Sequence, residues 1–223
     1  MLQLMNWKNI DPFPVMGLWL NETNAIAFDL SVANEKLKQE TYGNIDAFSM
    51  YTNGLLASAH VPFGYGGYFE NRVIYNVFDN FATNHEHRSI HLGVDVWSAA
   101  GTPVYCPLDG SIHSFQFNDG DGNYGPAIIV EHQLDGEVLF SLYGHLSRTD
   151  LQGLEIGMAV KKGSLLCHLG EPHENGKWPP HLHFQLMRDM EGWEGDYPGV
   201  CASKDEPHFR KNCQDPLSLI YKD

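Results

Sequence analysis

Three histidine-bearing segments carry residue types that hold metals or move protons: His91-Leu92-Gly93-Val94-Asp95, Leu142-Tyr143-Gly144-His145-Leu146-Ser147 and His181-Leu182-His183-Phe184. Imidazole nitrogen and carboxylate oxygen bind zinc, and several other divalent metals, at ~2 Å. On a strand, His181 and His183 point to one side at ~6.6 Å separation, while Leu182 and Phe184 face the other. One of the two can bind a metal while its neighbour stands beside it. His91 and Asp95 are ~13 Å apart in a fully extended chain. Sharing one ion therefore requires a bend, and Gly93 is the residue expected to permit it. A single carboxylate removes one charge unit from a divalent ion and leaves it Lewis-acidic. No pair is informative alone: with 12 His in 223 residues, a random chain holds roughly 0.6 H-x-H pairs. A second such pair, His85 and His87, sits in a polar stretch without apolar alternation and reads as solvated loop.

The elements that must position these residues are mostly strands. Short apolar runs recur at 102–105, 111–117, 127–131, 138–142, 164–169 and 181–187, separated by turn clusters such as Asn118-Asp119-Gly120-Asp121-Gly122-Asn123. Asp135-Gly136 between two apolar runs predicts a hairpin. No helix-length crossover separates the runs, so the sheet is expected to be antiparallel. The first ~80 residues differ. Asn44 is placed to cap a helix carrying Ile45, Phe48, Thr52, Leu55 and Ala59. A second short helix is expected over Leu30 to Leu37, and a strand over Arg72-Val73-Ile74-Tyr75. The expected architecture is mainly β: an open antiparallel β-sheet domain over 81–223 with an N-terminal α+β extension over 1–80.

Composition excludes several function classes. The chain is 43% hydrophobic and carries 14 basic against 28 acidic side chains, for a net charge of −14. That apolar share and the abundance of aromatic residues argue against disorder. The absence of a Lys/Arg cluster argues against nucleic-acid binding. No run reaches the ~18 apolar residues of a membrane span, and the N-terminus lacks a basic n-region followed by an apolar h-region. The expected location is accordingly cytoplasmic. Cys106, Cys167, Cys201 and Cys213 form no C-x-x-C pair; Cys106 and Cys167 are expected in the core, and Cys201 and Cys213 as free thiols.

Taken jointly, the motifs are specific. His91-Leu-Gly-Val-Asp95, Gly101-Thr-Pro-Val-Tyr-Cys-Pro-Leu-Asp-Gly110, Tyr143-Gly-His145-Leu-Ser, Gly157-x-x-Val160-x-x-Gly163 and Pro180-His-Leu-His183-Phe occur in that order between about residues 88 and 188. Their order and spacing resemble the lysostaphin/LytM-type zinc metallopeptidases, whose members typically cut peptide bonds in bacterial cell-wall cross-links. The resemblance implies an open antiparallel sheet with one zinc in a groove, held by His91, Asp95 and His183. It also implies that His145 and His181 are an unligated catalytic pair. Tyr68-x-Glu70-x-Arg72-x-x-Tyr75, Asn175-Gly-Lys-Trp-Pro-Pro-His181 and Asp196-Tyr-Pro-Gly-Val200 resemble the version of this domain fused between a kinase-like phosphotransferase and an aminotransferase domain. Neither neighbour occurs in these 223 residues.

The expected activity is that of a zinc-dependent endopeptidase acting on a peptide or muropeptide, in peptidoglycan-type or Gly-rich sequences. The chain contains no H-E-x-x-H, so no zincin glutamate is available. A histidine base suits neutral pH, with His181 as proton acceptor and His145 orienting water or stabilising the oxyanion, or the two roles exchanged. One alternative is a non-catalytic or regulatory metal-binding module, which the loss of a site residue would mark; all five are present. A second is a non-haem iron oxygenase, whose triad ordinarily has H-x-D/E spacing, whereas three residues separate His91 from Asp95.

Overall fold

Each of the six β-rich runs ends at a Gly or Asp cluster, and in the computed structural model each becomes a strand. The structure describes residues 10–77, 81–83, 86–134 and 136–222. In chain order, the N-terminal part holds β1 (Ala25–Ala27), α1 (Gln39–Tyr42), α2 (Ile45–Ala59), β2 (Phe63–Gly66), β3 (Ala82–Thr83), β4 (Glu86–His87), β5 (Ile90–His91) and β6 (Val94–Trp97). There follow β7 (Pro103–Tyr105), β8 (Gly110–Asn118), β9 (Gly125–Leu134), β10 (Glu137–Gly144), β11 (Ala159–Val160), β12 (Leu165–His168), β13 (His181–Met187), β14 (Val200–Cys201), α3 (Glu206–Asn212) and β15 (Cys213–Gln214). The molecule is mainly β. Its principal sheet runs β1-β2-β6-β13-β10-β9-β8-β11, with β15 continuing the β6 edge of β13. Every pairing in it is antiparallel except β1 with β2. The two strands from the first 80 residues thus lie in the same sheet as β6, β10 and β13.

Alternation along β6 and β13 separates core from site. Val94, Val96, Leu182, Phe184 and Leu186 enter one apolar cluster with Ile112, Ile128, Val130 and Tyr143. Asp95, Trp97, His181 and His183 occupy the intervening positions. All seven residues of β13 are buried, so this strand is covered on both faces. The β9–β10 ladder runs from Leu134 opposite Glu137 to Ile128 opposite Tyr143, as the predicted hairpin requires; Asp135 lies outside the described residues.

The N-terminal expectations divide. Helix α2 begins where Asn44 predicts, with the Asn44 side chain accepting from the Asp46 and Ala47 amides at 2.9 and 3.1 Å and Phe48 and Thr52 buried. The helix expected over Leu30 to Leu37 does not form. Asp29, Ser31 and Asn34 side chains instead accept from the Ser31, Ala33 and Lys36 amides, local turns that compete with helix for the same backbone donors. The strand expected at Arg72–Tyr75 is also overturned. Only Asn71 and Arg72 make single bridges, to Ile90 and Ser31, and Ile74–Val77 winds into a 3-10 turn that buries Ile74 and Tyr75. All four cysteines are buried free thiols. Of the His85/His87 pair, His85 lies outside the described residues and His87 is exposed. No helix among the described residues is long and apolar enough to cross a membrane.

Candidate metal centre

β5, β6, β10 and β13 bring five sequence-predicted residues together. His91 ends β5, Asp95 lies in β6, His181 and His183 lie in β13, and His145 follows β10 in a left-handed conformation at φ 63°. In the ladder, His183 stands opposite Asp95 on one side and Gly144 on the other. The chain does bend between His91 and Asp95, but Gly93 acts differently from its predicted role. Its φ is not positive; what it supplies is space. A Cβ there would lie 2.6 Å from the Phe184 carbonyl oxygen and 3.0 Å from the His183 ring.

Three ligand atoms converge. His91 Nε2 lies 2.9 Å from His183 Nδ1, and each lies 3.2 Å from Asp95 Oδ1. The hydrogen bonds on the far sides of the rings set the tautomers. His91 Nδ1–H donates to the Gly67 carbonyl at 2.9 Å, leaving a lone pair on Nε2. His183 Nε2–H donates to Gln185 Oε1 at 2.9 Å. Gln185 is held that way round because its amide nitrogen donates to the Pro198 carbonyl at 3.2 Å. His183 therefore keeps its lone pair on Nδ1. Two imidazole lone pairs and a carboxylate oxygen face one another at hydrogen-bond distance with no proton between them, an arrangement that a cation relieves.

The flanking pair is oriented by the same device. His181 Nδ1–H donates to the Pro179 carbonyl at 2.7 Å, and His145 Nδ1–H to the Asn175 carbonyl at 2.8 Å. Both therefore keep the Nε2 lone pair, and His181 Nε2 lies 3.9 Å from Asp95 Oδ1. The two rings sit 4.2 Å apart between centroids. Trp97 stacks on His181 at 5.4 Å and 16°, and Trp178 meets both rings edge-on. The Asn175 side chain ties its own loop with bonds to the Gly170 carbonyl and to the Trp178 backbone. Tyr124 Oη lies 3.4 Å from His183 Nε2.

Electrostatics favour the neutral form of His91, His145 and His181 and the ionised form of Asp95. Burial, reinforced by the Arg72 charge, lowers His91 to about 3. Burial also lowers His145 and His181, beside other histidines in each case, although Asp95 opposes the shift at both. Burial alone would raise Asp95, but His91, Arg72 and His181 together hold it well below the usual carboxylate range. Neutral imidazole and ionised carboxylate are the forms that bind metal. Sequence reasoning assigned no role to Arg72, Glu70, Tyr75, Gly67 or Gln185, although four of these fall in or beside the Tyr68–Tyr75 motif. The site opens into a cavity of about 220 Å³ walled by aromatic side chains, among them Phe48 of α2, Tyr75, Phe81, Trp97, Tyr124 and Trp178.

Residues 89–194 match Peptidase family M23. An uncharacterized metalloprotease of Haemophilus influenzae is 30% identical over 96 residues, which are 43% of this chain and 18% of that protein; the chain thus spans less than a fifth of that relative. Among solved structures, the catalytic domain of lysostaphin from Staphylococcus simulans is 23% identical with a TM-score of 0.44, covering 73% of this chain and 97% of that one. A zinc-containing peptidase from Vibrio cholerae is 27% identical with a TM-score of 0.36, covering 44% and 27%. All five converging residues lie inside residues 89–194, the stretch of the chain that matches Peptidase family M23.

Proposed function

We propose that this protein is a zinc-dependent endopeptidase that hydrolyses peptide bonds in peptidoglycan-type or Gly-rich peptides, with one zinc held by His91, Asp95 and His183. The observation that carries the reading is the spacing of the three ligand atoms. Donors ~2.0–2.1 Å from a tetrahedral zinc lie roughly 3.3 Å from one another, and here the separations are 2.9, 3.2 and 3.2 Å. The two-nitrogen, one-oxygen set also suits zinc better than calcium or magnesium, which take oxygen ligands. Bound there, zinc would act as a Lewis acid that acidifies water and polarises a carbonyl.

The protein's own groups account for the proton. His181 Nε2 carries a lone pair and lies nearer the Asp95 carboxylate, which stabilises the imidazolium it becomes on accepting a proton from the attacking water. His145 Nε2 carries the second lone pair and orients that water; the shared aromatic frame of Trp97 and Trp178 holds both rings. The small, aromatic-walled cavity favours substrates with little side chain beside the cut, which supports Gly-rich or similar peptides. His183→Ala should lose metal and activity together, while His181→Ala should keep stoichiometric zinc and lose activity. Hydrolysis surviving in metal-free His183→Ala protein overturns the assignment. Incubation of zinc-loaded protein with muropeptides, pentaglycine and ordinary L-peptides tests the substrate class. Cleavage of none by a fully metallated protein would instead favour a non-catalytic metal-binding module.

A further inference from the structure

Arg72 lies outside the family-matched residues, yet its side chain is only 1% exposed and meets the metal-facing carboxylate. Its Nη1 donates to Asp95 Oδ2 at 2.5 Å and to Tyr75 Oη at 3.2 Å. Its Nε donates to Glu70 Oε2 at 2.7 Å, and Nη2 to the Gly66 carbonyl at 3.4 Å. The other Glu70 oxygen accepts the Leu30 amide at 3.1 Å, which ties the pair to the N-terminal segment. Gly67 leaves room for this guanidinium: its φ is +109°, and a Cβ there would collide with Arg72 Nη2.

We propose that the Arg72–Glu70 pair is a positioning device that reserves Asp95 Oδ2, so that Asp95 offers the metal Oδ1 alone and a coordination position stays open. The inference rests on the zinc reading above. A free carboxylate can engage a dication through both oxygens, which would crowd the position a catalytic zinc leaves open. Here Oδ1 faces His91 and His183 while Oδ2 is engaged by a guanidinium, a charge-assisted bond of the stronger kind. Glu70 makes the arrangement tolerable. Arg72 beside a dication would repel it, and a second carboxylate on the same guanidinium offsets that charge. Lysine cannot replace this geometry, because one ammonium cannot span Glu70, Tyr75 and Asp95 as a planar fork does.

The test uses Co²⁺ as the probe in the full chain, comparing wild type, Arg72→Lys and Glu70→Gln after circular dichroism confirms folding. Tetrahedral Co²⁺ absorbs visible light more strongly than five-coordinate Co²⁺. Arg72→Lys should therefore lose about twofold or more of the d–d intensity as the second oxygen enters, and Glu70→Gln should lose part of it. A folded Arg72→Lys protein that binds Co²⁺ with the wild-type spectrum overturns the proposal and leaves the zinc reading standing. Wild-type protein that binds neither Zn²⁺ nor Co²⁺ overturns both. If Arg72→Lys does not fold, Glu70→Gln decides alone, and unchanged intensity in it overturns the proposal.

Discussion

Replacing Gln185 by leucine isolates the tautomer argument. Gln185 is fully buried, and its Oε1 accepts the His183 Nε2 proton at 2.9 Å. Gln185→Leu removes that acceptor without changing a ligand. His183 can then place its proton on Nδ1, the atom that must be bare to bind metal. A neutral buried hydrogen bond is worth about 0.5–1.5 kcal/mol net, and an orphaned N–H costs about 1–3 kcal/mol. Metal binding must restore the proton to a nitrogen left with only the 3.4 Å contact to Tyr124 Oη, so the loss in affinity is about 1.4–2.7 kcal/mol, or 10–100-fold, the range for such supporting groups. Gln185→Glu keeps an acceptor at the same place and should bind zinc at least as tightly as wild type. It gives up the donor to the Pro198 carbonyl, which affects stability rather than the tautomer. Zinc affinity is read by competition with a chromophoric chelator, and the His183 tautomer by ¹⁵N chemical shifts of the metal-free protein. Zinc affinity in Gln185→Leu within twofold of wild type, with the Nε2–H tautomer retained, would refute the reasoning.

Two further expectations use other parts of the molecule. Gly93→Ala places a Cβ against the Phe184 carbonyl and the His183 ring, so zinc affinity should fall by about tenfold or more as the ligand ring is displaced, measured by the same competition. His132 is buried, with its two ring nitrogens bonded to the Asp109 carbonyl and Ser141 Oγ; burial lowers its pKa although the Asp109 bond opposes this. The unfolded chain therefore binds a proton at higher pH than the fold does, so stability is complete above about pH 6.5 and falls as pH drops below it, by up to about 1.4 kcal/mol per pH unit from this residue. His132→Gln should flatten that slope in urea unfolding between pH 7 and 5, and an unchanged slope would contradict the assignment.

The strands and the five converging residues were legible because both signals are local. Alternation over Val94–Trp97 and His181–Met187 puts Val94, Val96, Leu182, Phe184 and Leu186 on one face, and the histidine and aspartate positions follow from the same period. The tautomers were not legible, since Gly67, Gln185 and Asn175 become partners only through tertiary contact. Arg72 was hidden for the same reason. A charged residue in a sequence reads as exposed, and nothing in Glu70-x-Arg72 announces that both partners will be enclosed beside a carboxylate 23 residues away. Leu30 to Leu37 has apolar residues at helical spacing, but the side chains of Asp29, Ser31 and Asn34 compete for its amides. Gly93 was identified for the right bend and the wrong reason, because close approach by another strand is invisible in a dihedral argument.

The two-faced burial of β13 makes the site and the core a single register. A slip of one residue against β6 and β10 would turn His181, His183 and Gln185 into the apolar cluster and carry Leu182, Phe184 and Leu186 into the cavity. No partly correct pairing of this strand can therefore leave a usable site on a damaged fold, or a sound core beneath a damaged site. On the proposed zinc site, metal binding would double as a report on strand register: a preparation should titrate with zinc only to the extent that its central strand is correctly threaded.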